Sequence, residues 1–341
     1  RREQSAEGDR ASVLRAGGGE QRGGGAGSEE RGGVADGGDR GGARRGAGGR
    51  RRGEAGGRAG SAHRVGHADG RQGAARGGEG ALVGDPDVLA DGDVAQAAAG
   101  EAVTLFREGD KVWYAGALGR PGSNSEFQLV DERIVALKPQ TLDNASAAAL
   151  PLTAITAWEL LFDRLGVEEG GNQGDTLLIV GAAGGVGSIL TQLASRLTGL
   201  TVIGTASRPQ SQQWVRELGA HHVIDHSKPL TEELARIGVK SVTHVASLTA
   251  TAQHYAQIIE ALAPQGKLAL IDDPETLDAR PLKAKSISLH WEVMFTRPMF
   301  GTQDMIAQHQ LLPRVARLID DGTLTTTPRE HSGARPAANI P

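Results

Sequence analysis

From about Val103 to Thr327 the chain alternates short apolar runs with apolar residues at helical spacing. The clearest unit is Thr176 to Leu197, TLLIVGAAGGVGSILTQLASRL. Leu177, Leu178, Ile179 and Val180 form an uninterrupted apolar run, as in a parallel strand buried on both faces. Ile189, Leu190, Leu193 and Leu197 then recur at the spacing of an amphipathic helix. Four further runs predict strands over Thr201–Thr205, His222–Ile224, Val242–Ala246 and Lys267–Ile271. The helical stretches among them are about Gln210–Leu218, Thr231–Ile237 and Thr251–Leu262. This alternation predicts a parallel, doubly wound α/β sheet. Ser286–Met294 reads as one more strand. Asp304–Asp320 reads as an amphipathic helix carrying Ile306, Leu312, Val315 and Ile319.

Upstream of this unit the pattern is that of an antiparallel barrel's end, with too few strands to close. Its strands are Lys111–Ala115, Glu126–Val130 and Ile134–Leu137, the last closed by Lys138-Pro139. Asn144–Leu150 is a small alanine-rich helix with Asp143 or Asn144 as its cap. Pro151 opens a helix through Leu165 whose apolar face holds Ile155, Trp158, Leu161 and Phe162.

Composition changes the picture at the N-terminus. From Arg1 to about Gly100 there is no Ile, Lys, Met, Thr, Asn, Phe, Tyr or Trp. Gly, Arg, Ala, Glu and Asp dominate, and such a segment buries too little apolar surface to offset the entropy of ordering. Its arginines are balanced by acids and no aromatics are interleaved, which argues against an RNA-binding Arg/Gly arm. A disordered linker is one alternative. The other is non-native sequence, because the missing Lys, Ile, Asn, Phe and Tyr are those with A/T-rich codons, as in an out-of-frame reading of GC-rich DNA; the lack of an initiating Met agrees with this. That last reading is preferred, with disorder expected in either case.

The whole chain has a formal net charge of −4, so neither nucleic acid nor a membrane surface is an expected partner. It has no run of eighteen apolar residues and no apolar signal core, and a soluble, cytoplasmic protein is expected. There is no cysteine, so disulfides and thiolate metal sites are excluded. His221, His222 and His226 are the closest histidine group. They flank a predicted strand whose alternation points them to different faces, so no metal site is expected there.

The chemistry sits in the turn Gly181-Ala182-Ala183-Gly184-Gly185-Val186-Gly187. Strand, glycine turn and helix in this order form the first unit of a dinucleotide-binding fold. Gly184 lets backbone approach a pyrophosphate, Gly187 lets the helix pack on the strand, and the N–H groups at the helix start face the phosphates. Ala182 stands where the first glycine of GxGxxG would be, and no Gly-Lys-Ser/Thr follows, so a P-loop is excluded. A glycine-rich turn that binds nothing is the alternative. Leu248-Thr249 and Ile271-Asp272 end two strands at the carboxyl edge, where ligands bind in such sheets. The second strand ends in Gly204-Thr205-Ala206-Ser207-Arg208, where an NAD site would carry an acid for the ribose 2′-OH. Ser207 and Arg208 offer a hydroxyl and a guanidinium for a 2′-phosphate instead, so NADPH is expected over NADH. A solvated arginine at a helix start is the competing reading.

GDKVWYAG, SNSEFQLVDERIVALKP, ALPLTAITAWELLF, GAAGGVGS and ELGAHHVIDH together resemble the medium-chain dehydrogenase/reductase superfamily. The resemblance is to its quinone oxidoreductase branch, which includes the zinc-type alcohol dehydrogenase-like proteins, and it covers roughly Val103 to Thr327. It implies a Rossmann domain with a GroES-like antiparallel barrel, usually as a dimer, reducing quinones or α,β-unsaturated carbonyls with NADPH. It also places Thr153 and Thr156, in PLTAITAW, near the nicotinamide; without it, hydroxyls that bond back along their helix would be the simpler reading. Asn124 is a candidate donor to substrate or cofactor, or a plain turn asparagine. Met294, Phe295 and Phe300 are read as packing or dimer contacts. Lacking cysteine, the chain matches the zinc-free branch.

The organisation this predicts has five parts. Residues 1–100 are the disordered, non-native segment and 101–150 a remnant of the GroES-like substrate domain. Residues 151–285 are the NADP-binding Rossmann domain, 286–327 a strand and helix, and 328–341 a disordered tail. With the barrel's first strands lacking counterparts, little or no turnover is expected of this chain. The alternatives are a nucleotide-binding protein without catalysis and a nonproductive, inactive product.

Overall fold

In the computed structural model the described residues are 81–84, 96–99, 102–119 and 127–327. They all fall within the unit Arg71–Pro341. The expectations for residues 1–80 and 328–341 lie outside the described residues.

The first strands among the described residues are five and short: β1 (Ala81–Gly84), β2 (Gln96–Ala99), β3 (Val112–Trp113), β4 (Phe127–Val130) and β5 (Ala136–Leu137). They make two antiparallel sheets, one ordered β2-β1-β4 and the other β3-β5. Two corrections to the sequence reading follow. Residues 81–84 and 96–99, read as part of the disordered segment, form strands, with Leu82 opposite both Ala98 and Leu129. Backbone pairing needs only a partner edge, and β4 supplies it. The strand expected from Ile134 begins at Ala136 instead. Asp131 accepts a hydrogen bond from the Arg133 N–H at 2.9 Å and turns Glu132–Ile134 into a 3-10 turn.

Helix α1 (Asn144–Ala148) is capped by Asp143, which accepts from the Ser146 N–H at 2.7 Å. Pro151 then starts α2 (Pro151–Trp158), which continues as a π-helical turn over Glu159–Arg164. The Leu165 N–H reaches the Leu160 carbonyl, five residues back, at 2.9 Å. The stretch Asn144–Arg164 is long and apolar enough to cross a membrane by length and composition, yet more than half of its most apolar window is buried in the protein.

The remaining strands are β6 (Thr176–Val180), β7 (Thr201–Thr205), β8 (His222–Ile224), β9 (Val242–Ser247), β10 (Leu262–Leu270) and β11 (Ser288–Trp291). Between and after them run α3 (Gly185–Leu197), α4 (Pro209–Glu217), α5 (Leu230–Arg236), α6 (Thr251–Ala261), α7 (Thr296–Phe300) and α8 (Ala307–Asp320). The strands form one six-stranded parallel sheet ordered β11-β10-β9-β6-β7-β8. The order reverses between β6 and β9, the switch point of a doubly wound sheet. Strand β10 starts earlier than its sequence pattern suggests: an irregularity between Leu262 and Lys267 carries the pairing across Ala-Pro-Gln-Gly, which reads as a turn.

The apolar run of β6 explains the layering. Leu177 and Ile179 join a core with α2, α3 and α8, while Leu178 and Val180 join a second core with α5 and α6. All four are at most 1% exposed. Such side chains stabilise by about 1.5–3 kcal/mol each on burial. A third, small cluster of Phe106, Val112, Val130, Ile134, Val135 and Met305 serves the antiparallel part. Helix α8 ties that part to the parallel sheet's core: His309 Nδ1 donates to the Val135 carbonyl at 2.6 Å, and Asp320 accepts from the Gln140 and Thr141 N–H groups.

Candidate functional site

The carboxyl ends of β6, β7, β8 and β9 converge on a cleft of about 450 Å³. Its floor is the turn between β6 and α3. Gly181 adopts φ +87°, a conformation that side-chain-bearing residues rarely take. A Cβ at Gly187 would lie 2.3 Å from the Gly181 carbonyl and 2.7 Å from Ala182 Cα, so only glycine permits this approach of helix to strand. Gly184 caps α3, and its own N–H donates to Gly181 O at 3.1 Å. The following first-turn N–H groups have no acceptor within their helix, and Gly185, Val186 and Gly187 all line the cleft. Ala182, the departure from GxGxxG, is fully buried in the α3-side core.

The walls come from neighbouring strands. Ala206, Ser207 and Arg208 follow β7, Leu248 and Thr249 follow β9, and Ile271 follows β10; all line the cleft. Thr205 Oγ1 accepts from the Gly181 N–H at 3.1 Å, and the Leu248 N–H donates to Val180 O at 3.1 Å, fixing the rim. Ser207 and Arg208 are exposed, and Arg208 has no ion pair among the described residues. None of the described lining residues is acidic. First-turn N–H groups, an exposed guanidinium and no carboxylate among the described lining residues form a donor set able to take an anion.

Of the residues read from sequence, Ala183, Gly184, Gly185, Val186, Gly187, Ser207, Arg208, Leu248 and Ile271 are brought together here. Thr153 stands beside them without lining the cleft, its Cγ2 3.1 Å from where a Gly185 Cβ would be. Its hydroxyl donates to Leu150 O at 3.0 Å, and that of buried Thr156 to Leu152 O at 2.8 Å. Both hydrogens are thus committed to the helix, leaving only lone pairs for a ligand. Asn124 lies outside the described residues. Met294 is buried and Phe295 packs on the same core, whereas Phe300 is 73% exposed.

Two lining residues carry no ligand role in the sequence reading. Ser211 sits in the first turn of α4, and His226 stands two residues past β8. From sequence His226 stands out only as a candidate metal ligand. Its signal is positional, since residues just past each strand's carboxyl end meet at such an edge. The His226 ring meets His254 edge-on with centroids 6.1 Å apart. Burial, and then the charge of His226, hold His254 below the ordinary imidazole range.

Comparison with known proteins agrees with this geometry. The zinc-binding dehydrogenase family matches residues 185–311. A zinc-type alcohol dehydrogenase-like protein of Staphylococcus aureus (strain MSSA476) is 41% identical over 228 residues, 66% of this chain and 68% of that protein. The chloroplastic NADPH-dependent alkenal/one oxidoreductase of Arabidopsis thaliana is 39% identical over 142 residues, 40% of this chain and 35% of that protein. A crystal structure assigned as a zinc-dependent alcohol dehydrogenase protein from Rhizobium etli CFN 42 is 51% identical. It covers 73% of this chain and 80% of its own, with a TM-score of 0.68.

Proposed function

Because the chain belongs to the medium-chain dehydrogenase/reductase superfamily, among its zinc-type alcohol dehydrogenase-like proteins, we propose that it is an NADPH-dependent, zinc-independent reductase of α,β-unsaturated carbonyls or quinones. The observation that carries this reading is a cleft at the sheet's switch point with glycine-turn N–H groups at one end, Ser207 and Arg208 at the other and no acid among its described walls. NADPH would supply a hydride. The first turn of α3 would hold the pyrophosphate, and Ser207 with Arg208 the 2′-phosphate. Leu248 and Ile271 would frame the dinucleotide. Thr153 and Thr156, with only lone pairs free, would accept hydrogen bonds from the nicotinamide carboxamide rather than donate a proton to substrate.

Support for an enone substrate comes from the alkenal/one oxidoreductase relative, and for NADPH from the same source. Zinc independence is argued from the donor set: the chain holds no cysteine, and the described residues contain no cluster of three metal-ligating side chains. We place a second copy of the chain at β11. Its outer edge pairs with no strand among the described residues, and Trp291 there is 45% exposed. The protein is read as soluble and cytoplasmic.

A second reading, nucleotide binding without turnover, is favoured by the absence of any Asp, Glu, Lys, Tyr or Cys among the described lining residues. One experiment separates the two. NADPH oxidation is followed with an alkenone and with a quinone, alongside NADP⁺ and NAD⁺ dissociation constants for wild type and Arg208→Ala, on protein of measured zinc content. Any turnover is expected to persist at substoichiometric zinc. Removing a charge-assisted contact worth roughly 1.5–3 kcal/mol weakens NADP⁺ by about ten- to a hundredfold and leaves NAD⁺ unchanged. Equal constants for the two nucleotides, unmoved by the substitution, overturn the coenzyme assignment. A melting shift without turnover favours the second reading.

A further inference from the structure

Away from the cleft, the π-helical turn Glu159–Arg164 faces the segment that follows β11. In an α-helix residues five apart do not share a face; in a π-turn they do. Here Glu159, Asp163 and Arg164 all engage that segment. Arg297 Nη1 stands 2.6 Å from Glu159 Oε1, and Arg297 Nη2 lies 2.9 Å from Asp163 and 3.0 Å from Asp304. Arg164 Nε donates to Glu292 Oε2 at 2.8 Å. Gln308 of α8 donates to Glu159 Oε1 at 3.2 Å and to Met294 O at 2.7 Å.

Glu159 and Glu292 are each 1% exposed. Each has one oxygen on an arginine, while Glu159 Oε2 and Glu292 Oε1 are buried without a donor. The two carboxyls are within hydrogen-bonding reach of each other. The charges do not balance if all are ionised: Glu159, Asp163, Glu292 and Asp304 face Arg164 and Arg297. Asp163 and Asp304 reach solvent, so the excess falls on the buried pair. Among the described residues no cation other than Arg164 and Arg297 acts on the pair. His290 on β11 is held below its ordinary range by burial, then by the charges of Lys267 on β10 and of Arg164, so it adds no positive charge at neutral pH.

We propose that Glu159 and Glu292 share one proton at neutral pH and that this proton locks the segment Glu292–Asp304 onto the π-helical turn. A carboxylic acid on Glu292 donating to the Glu159 carboxylate gives both orphaned oxygens a partner and removes one of two adjacent buried anions. The direction of titration agrees. Burial, and then the charge of Glu159, push Glu292 up to about 8, and burial likewise raises Glu159. An unfolded glutamate titrates near about 4.3, so between those values the folded chain holds a proton the unfolded chain lacks. The stability it brings is complete below the lower value and is lost as pH rises to the upper one. Above it, two neighbouring anions press the segment away from the turn.

Hydrogen exchange of the full-length protein between pH 6 and 9 tests this. After correction for the intrinsic chemistry of exchange, amides of Glu292–Asp304 should open more with rising pH, by up to about tenfold per unit, while those of β6 do not. In Glu292→Gln, which keeps an N–H donor toward Glu159 and an acceptor for Arg164, that dependence should vanish. Side-chain ¹³C NMR of labelled glutamate in the wild type is the second measurement and needs no variant; it should resolve a carboxyl that stays protonated through neutral pH. Exchange that follows intrinsic chemistry alone, a Glu292→Gln protein that keeps the acceleration, or glutamates that are all ionised at pH 6.5 would each overturn the proposal.

Discussion

Strands β6 and β4 carry similar numbers of apolar residues and use them differently. In β6 the four residues Leu177–Val180 are buried on both faces because helices cover each side of the parallel sheet. In β4, Val130 is 2% exposed and its neighbour Leu129 is 43% exposed. One strand anchors two cores and the other only a small third cluster. An apolar residue therefore reports burial only in the light of what covers its sheet. The candidate cleft is built on the strand that is covered twice.

Substitutions can break this contrast or sharpen it. Leu178→Ala should have the largest effect, a loss of about 2–5 kcal/mol, because the residue is fully buried and its cavity cannot fill with water. Chemical denaturation measures it. Gly187→Ala comes next. Its Cβ would meet backbone rather than a flexible side chain, so roughly 1–3 kcal/mol of overpacking should accompany loss of the nucleotide-induced rise in melting temperature. Asp143→Ala removes the α1 cap and should cost about 1 kcal/mol. Leu129→Ala should fall within about 0.5 kcal/mol. A loss as large as that of Leu178→Ala would mean that β4 is covered in solution by more than the small cluster it meets here.

The parallel sheet was legible because its rules are local. A continuous apolar run, a glycine turn and a 3.6-residue period specify β6 and α3, and the ends of β7 and β8 fall where the pattern places them. Most of the residues lining the cleft were legible for the same reason, since they lie in the glycine turn or just past a strand's carboxyl end. Three features were not. The pairing of β1 with β4 depends on a partner forty-odd residues away, and nothing in Ala81–Gly84 announces it. The π-turn at Glu159–Arg164 keeps the apolar spacing of an α-helix, with Leu160 and Leu161 fully buried, and only the charged residues it turns together betray it. His226 was visible as a residue but not as a wall of the cleft, because its role depends on how β8 aligns with β7.

The hydrogen bonds from α8 to the early loops also set a timetable. His309 meets Val135 across 174 residues, and Asp320 meets Gln140 across 180. Contacts that distant cannot form until α8 has left the ribosome. At about 5–20 residues per second, the strands β3 and β5 wait roughly ten to thirty-five seconds for the helix that seats them. Through that interval their edges and the side chains of Phe106 and Ile134 lack the Met305 end of their cluster. The strands of the parallel sheet lie between these partners in sequence and leave the ribosome before α8 does.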